Sequence, residues 1–357
     1  MHLERPDLSQ ADPAVRAYIE ALEAEVERLR LVEARAQVER AAPAEAGEAP
    51  STEQSLETSE PPTTINLITV SASGVAKRTP RHLYTRQHRG GMGIFDLDTP
   101  EDDPPAALIA ADEKQPLVLI TSQARAFRLP VSDLPESPVR ARGQSLAERL
   151  PVNADETLAV VLAEQTQGYL ALLTHRGYVR VLPAYLVNEN LRPGANLFRT
   201  DEYGLLAAAC WAAGDSDLFV TTRQGLAIRF PGRQVPGPGG LGIRLEAGDG
   251  VASIAAVRPG GGVFLLGADG RGTIRQMSGF SANKAPGGGG KRAMKCDELI
   301  GAVALNSADD VFIISRLSKI VRFPASEVPA KEGVVQGVSC MALRADKTLA
   351  VCASPST

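Results

Sequence analysis

Residues 218–231 read LFVTTRQGLAIRFP. A short apolar run ends in Thr221-Thr222, Gly225 follows three positions past Thr222, and a second apolar run leads through Arg229 to Pro231. Two short apolar stretches joined by a glycine-bearing polar turn read as a β-hairpin, because glycine accepts the positive φ that tight hairpins need. With Thr222 as anchor, the pattern recurs at Ser71, Thr121, Thr174, Gly267 and Ser315, at nearly even intervals along the chain. Three positions past each anchor stand Gly74, Ala124, Gly177, Gly225, Gly270 and Ser318. Seven past stand Arg78, Arg128, Val181, Arg229, Ile274 and Arg322; nine past stand Pro80, Pro130, Pro183, Pro231, Gln276 and Pro324. Proline is 25 of 357 residues, so six positions should hold about 0.4 by chance, and five hold one. The repetition is not accidental.

Each unit then crosses a Gly- or Pro-bearing loop and closes on another apolar strand: Ala107–Ala111, Leu158–Ala163, Leu205–Trp211, Val251–Val257, Leu299–Leu305 and Leu349–Ala353. A period of roughly 45–53 residues made of strands and turns predicts an all-β, six-bladed propeller, whose small sheets must stack around an axis to bury both faces. A sandwich would not carry a fixed internal period.

Composition agrees with many turns: Gly 33 and Pro 25 against 4% aromatics. The longest apolar run, Leu205–Ala213, is far short of the roughly 18 residues of a membrane helix. The start, MHLERPDLSQ, has no apolar core of a secretory signal, so a cytoplasmic location is expected. Cys210, Cys296, Cys340 and Cys352 form no CxxC, and histidine is scarce, so neither a disulfide framework nor a metal site is expected. Cys210, Cys340 and Cys352 lie in apolar stretches and read as small buried hydrophobes.

The charge is uneven. Positions 1–63 hold 6 Lys and Arg against 14 Asp and Glu, which leaves 32 and 28 for the remainder. Within residues 1–40, Asp12-Pro13 reads as a helix start, and Val15, Tyr18, Ile19, Leu22, Val26 and Leu29 recur at helical spacing. This amphipathic helix suits either docking on the main domain or a coiled-coil homodimer; Leu22, Leu29 and Ala36 keep a heptad spacing. Residues 41–63, acidic and rich in Ala, Pro and Ser, read as a disordered linker, which leaves 64–357 for the propeller.

Residues 85–94, TRQHRGGMGI, are the most specific stretch in the chain. They resemble the box QRRGGKG of the DNA gyrase A and topoisomerase IV C-terminal domain family. Gln87, Arg89, Gly90, Gly91 and Gly93 match, while His88 and Met92 depart from it. VRARGQ at 139–144 resembles a basic loop of the family's second blade, and the resemblance runs over about residues 65–353. It implies a β-pinwheel, in which neighbouring blades exchange strands, and a positively charged rim that bends double-stranded DNA without sequence preference. Arginine beside glycine suits that task, since the cation meets phosphate and the glycines let the backbone approach. The expected DNA-binding residues are Arg86, Gln87, His88, Arg89, Gly90, Gly91, Gly93, Arg140, Arg142, Arg192, Lys291, Arg292 and Lys295.

Neutral Met92 and a histidine of reference pKa near 6.5 remove two of the three box cations or make them conditional. The run Asp96, Asp98, Glu101, Asp102 and Asp103 beside the box reads as a solvated acidic loop. The seventh-position arginines read as structural. Gly287–Lys291 lacks the earlier glycine and the Ser or Thr of a phosphate loop, and no catalytic constellation or cofactor motif appears. The family's cleavage tyrosine belongs to a region that the segment ahead of the repeats, 1–63, does not resemble, so the expected role is non-catalytic. DNA is the expected partner, with topoisomerase core subunits implied by the resemblance. The alternative is a protein-interaction scaffold without DNA affinity.

Overall fold

The hairpins expected from the repeat are all present in the computed structural model, which describes residues 60–355 apart from Ala147, Ala154 and Lys284. They are Ile65–Ser71 with Val75–Pro80 (blade 1), Pro116–Thr121 with Arg125–Pro130 (blade 2), and Tyr169–Thr174 with Tyr178–Pro183 (blade 3). Asp217–Thr222 with Leu226–Pro231, Gly262–Gly267 with Arg271–Gln276, and Asp310–Ser315 with Lys319–Pro324 make blades 4 to 6. The amphipathic helix expected within residues 1–40 lies outside the described residues.

Each repeat position has a physical reason. The anchor hydroxyl accepts the backbone N–H four positions on, as in Val75 N to Ser71 Oγ at 3.0 Å and Tyr178 N to Thr174 Oγ1 at 3.2 Å. Blade 5, whose anchor is Gly267, substitutes Asp269 Oδ1, which accepts from Arg271 N at 3.1 Å. The third position is left-handed in every blade, including Ala124 at φ 60° and Ser318 at φ 57°, where glycine is absent. The ninth position ends the strand and starts a 3-10 turn. Proline fits there because its fixed φ matches the −54° of Pro80 and −66° of Pro324.

A third strand completes each hairpin on its inner side: Pro105–Asp112, Leu158–Ala163, Leu206–Ala212, Val251–Val257, Leu299–Leu305 and Thr348–Ser354. Several of these strands run slightly beyond the expected apolar stretches, and each carries a register shift opposite the anchor. The fourth, outer strand comes from the next blade's loop. Gln144–Ser145 of the blade 2 loop joins blade 1, Ala195–Asn196 joins blade 2, Gly240–Leu241 joins blade 3, and Lys291–Arg292 joins blade 4. Ala330–Lys331 and Val338–Ser339 join blade 5. The ring closes when Ile94–Phe95 of the blade 1 loop joins blade 6. The exchanged segments are fixed by one recurring bond to the hairpin turn, for example Leu146 N to Gly74 O at 2.9 Å and Asp96 N to Ser318 O at 2.9 Å.

The apolar core is divided among the seams. Six clusters form, each joining neighbouring blades; the closing one packs Leu67, Tyr84 and Leu108 of blade 1 on Phe312, Ile314 and Ile320 of blade 6. Three seams also carry a buried arginine clasp. Arg229 donates to Asp217 Oδ2 at 2.8 Å and to the carbonyls of Met277 (2.8 Å) and Phe280 (3.0 Å) on the next blade's 3-10 turn. Arg78 repeats this with Asn66 and the carbonyls of Val131 and Leu134, and Arg322 with Asp310 and the carbonyls of Arg81 and Tyr84. The seventh-position arginines are therefore structural at these seams, while Arg128 turns to Glu164 at the blade's foot. Blade 3 has Val181 and Tyr169 in place of the arginine and acid, and a cavity of about 290 Å³ remains there, lined also by Pro183, Gly232 and Val235.

Composition assigns Glu60 to the linker, but it is seated on the propeller. Its carboxylate bonds Arg81 and lies 2.5 Å from Arg322 Nη2. Burial alone would raise its pKa; the two guanidinium groups hold it below the ordinary carboxylate value.

Candidate nucleic-acid interface

The box occupies the loop that closes the ring, so its neighbours belong to the sixth blade and are far away in sequence. Gln87 N donates to Arg322 O at 2.7 Å, Gly90 N to Cys340 O at 2.8 Å, and Ala342 N to Gly91 O at 2.9 Å. Gly93 is a repeat glycine rather than a special one. A glycine precedes the exchanged strand in all six loops (Gly93, Gly143, Gly194, Gly239, Gly290 and Gly337). At Gly93, with φ 73°, a Cβ would stand 2.7 Å from Ile320 O, so the reason for glycine is the close approach of two strands.

His88 and Arg89 face solvent, but a carboxylate stands beside them. Glu327 Oε1 lies 2.9 Å from His88 Nδ1, and Glu327 Oε2 accepts from Arg89 N at 2.7 Å. Arg89 Nε donates to Glu327 O and Nη1 to Ser339 O, both at 3.1 Å. Arg86 turns inward and bonds Asp310 at 3.1 Å, which places it in the blade seam instead of on the rim face.

The other expected cations lie along the outer edge and are exposed. Arg140 and Arg142 stand just ahead of Gly143 on the loop that joins blade 1, and Arg192 precedes the strand that joins blade 2. Lys291, Arg292 and Lys295 sit at the edge of blade 4. Lys291 Nζ donates to Ser281 O and Oγ at 3.0 Å and covers the Phe280 ring at 4.2 Å. Desolvation, then the nearby Arg275 and Arg229, pull its pKa below the usual lysine value. Its loop repeats the box backbone: Gly287 has φ 83°, as does Gly90, and Gly287 N donates to Gly242 O at 2.9 Å. Arg244, bridged to Gly289, joins this group. Neither Arg244 nor Lys319 stands in a motif; only aligning the six repeats shows that the position four past the anchor holds Arg125, Arg271 and Lys319.

The acidic run is a solvated loop only in part: Asp98, Glu101 and Asp102 are exposed, while Asp96 and Asp103 are tied into the blade. Asp96 is fully buried, ion-paired with Lys77, and accepts from Thr69 Oγ1 at 2.5 Å and Tyr84 OH at 2.6 Å. Burial, and then the Asp96 charge, push the Tyr84 hydroxyl well above its ordinary pKa. Asp103 ties down the blade 1 hairpin, accepting from Ser71 Oγ at 2.8 Å and from Ser73 N and Oγ at 2.7 Å. Burial would raise Asp103, but these donors hold it below its ordinary value. Local composition reads charge density; burial here is decided by the Lys77 and Tyr84 partners that blade packing brings in. Among the described residues no cluster of three or more metal-type ligands occurs, and no helix is long and apolar enough to cross a membrane. All four cysteines are free, with Cys340 and Cys352 buried; burial pushes the thiols of Cys210 and Cys340 up to about 12.

A ring of six strand-exchanged sheets with a cationic outer edge defines the class: a six-bladed β-pinwheel. Comparison with known proteins narrows it. Residues 66–104, 115–163, 216–258 and 309–331 match the family described as DNA gyrase C-terminal domain, beta-propeller. The gyrase A protein of Kosmotoga olearia is 25% identical over 299 residues, covering 80% of this chain and 37% of the relative. The gyrase A protein of Mycobacterium tuberculosis is 29% identical over 306 residues, covering 79% and 35%. The chain thus spans little more than a third of the length of the curated relatives it matches. The solved DNA gyrase A C-terminal domain shares the fold at TM-score 0.71 and 18% identity, over 81% of this chain and 99% of that one. The C-terminal domain of DNA topoisomerase IV does so at 0.58 and 18%, over 82% and 94%. Blades 1, 2, 4 and 6 thus carry matches to the DNA gyrase A C-terminal domain family, and the whole propeller shares that domain's fold.

Proposed function

We propose that this propeller binds and bends double-stranded DNA along its outer edge, without sequence preference and without catalysis of its own, in association with a type II topoisomerase. The observation that carries the reading is the row of exposed cations on the exchanged-strand loops: Arg140, Arg142, Arg192, Arg292 and Lys295, with Arg89 in the box. All project from blade edges, where a duplex laid around the ring would meet them in turn. None of these loops presents a row of Asn, Gln and Arg to base edges as a duplex-reading helix does, so phosphate contact and DNA deformability dominate. The domain boundaries proposed from sequence, 1–40, 41–63 and 64–357, assign the helix and its coiled-coil homodimer to a segment separate from the DNA-binding body. One observation favours the scaffold alternative: the Glu327 carboxylate accepts from the Arg89 backbone N–H and lies 2.9 Å from His88 Nδ1, which sets a negative charge inside the box.

A salt series of duplex binding separates the two. Each phosphate contact should contribute about −0.9 to the slope of log affinity on log salt, giving roughly −4 to −8 in total, with unrelated duplexes bound alike. No shift of a linear duplex at about 50 mM salt, where such contacts are strong, would remove the DNA reading and leave the scaffold.

A further inference from the structure

Phe95 is a large aromatic side chain left 53% exposed on the rim, and it does not stand alone. Its backbone pairs with Lys319 across the exchanged strand that closes the ring. The Lys319 ammonium lies 5.6 Å from the ring centroid, and the Arg140 guanidinium, from the blade 2 loop, lies 5.6 Å from the same centroid. Both approaches are fixed by backbone. Ala141 N donates to Asp96 O at 3.2 Å and Asp98 N to Ala141 O at 3.0 Å, pinning Arg140 beside the Phe95 strand.

We infer that Phe95 assembles Arg140 and Lys319 into one composite phosphate site, the strongest on this part of the rim; the inference rests on the DNA reading above. The two cations can be at most about 11 Å apart, a span that covers neighbouring phosphates, since each strand carries one per about 3.4 Å of axis. Among the described residues neither has a carboxylate within ion-pair distance, in contrast to Arg125 on Glu156 and Arg271 near Asp269. An aromatic face holds a cation without neutralising it, so the charge stays available to a phosphate. The neighbouring cavity of about 330 Å³ is lined by Phe95 and Arg140 together with Asp98 and Glu101. Glu101 is taken up by Arg316 at 3.3 Å, and Asp96 is buried with Lys77, so Asp98 is the carboxylate that opposes an incoming phosphate.

The test is fluorescence anisotropy of a labelled duplex about three helical turns long, with the full chain, over a salt series. Arg140→Ala and Lys319→Ala should each flatten the salt slope by about 0.9. Phe95→Leu keeps both cations and the apolar bulk but removes the π face; it should weaken binding about five- to thirtyfold, the scale of one exposed cation–π contact for each of the two cations. Phe95→Trp should restore wild-type binding, and Asp98→Asn should tighten it. Adding Lys319→Ala to Phe95→Leu should weaken binding by less than the product of the single effects. Wild-type binding left unchanged by Phe95→Leu, or full independence of the pair, would overturn the composite site alone. Absence of binding by the wild type would overturn the DNA reading and this site with it.

Discussion

Arg229→Val should be among the most destabilising single changes in the molecule. The guanidinium residue is 4% exposed and makes three hydrogen bonds, to Asp217 Oδ2 and to the Met277 and Phe280 carbonyls across the blade 4–5 seam. Valine removes all three and strands Asp217, whose side chain is only 16% exposed. Breaking a buried pair by deleting one partner costs about 3–5 kcal/mol, chiefly the penalty of an uncompensated charge. The chain itself contains the control. Blade 3 has Val181 and Tyr169 at the two equivalent places and folds without an arginine at that position. The double change Arg229→Val with Asp217→Tyr therefore copies a natural seam and removes the stranded carboxylate. It should cost only about 2 kcal/mol, the loss of hydrogen bonds to two carbonyls. Urea unfolding followed by Trp211 fluorescence, with far-ultraviolet circular dichroism to check coincidence, reads both values. If the single change costs less than about 1 kcal/mol, or the double change costs at least as much as the single, the clasp does not hold the seam in the way argued.

The box glycines should separate by role. Gly93→Ala meets Ile320 O at 2.7 Å and should lower the midpoint of thermal unfolding clearly, whereas Gly90→Ala, with nothing nearer than 3.6 Å, bears only the strain of φ 83°, about 1–2 kcal/mol. Acid stability should report Asp103. Its folded pKa is depressed, so the stability it adds is fully present above the ordinary value of 3.8 and is lost as pH falls through the folded value. Asp103→Asn should lower stability at neutral pH and narrow the gap to wild type as pH drops below about 3.8, measured by urea midpoints; a gap constant with pH would refute the assignment.

The hairpin, its turn and the number of blades were legible because their signals are local: a hydroxyl that caps the turn, a left-handed third position, a proline whose φ begins the 3-10 turn. Gln87-His88-Arg89 was legible as a motif for the same reason, being contiguous. What surrounds it was not. The box rests on blade 6, where Glu327 meets Arg89 and Lys319 meets Phe95, partners drawn from opposite ends of the repeat array. Glu60 looked like linker, and Asp96 like part of an acidic loop, because composition counts charges without regard to what surrounds them. By itself, then, the sequence determined the repeated unit and how many times it occurs, since turn chemistry is local. Only the tertiary structure decided which cations remain free on the rim and which carboxylates are buried or set against them. Those outcomes depend on strand exchange and ring closure, which bring together groups that no local pattern relates.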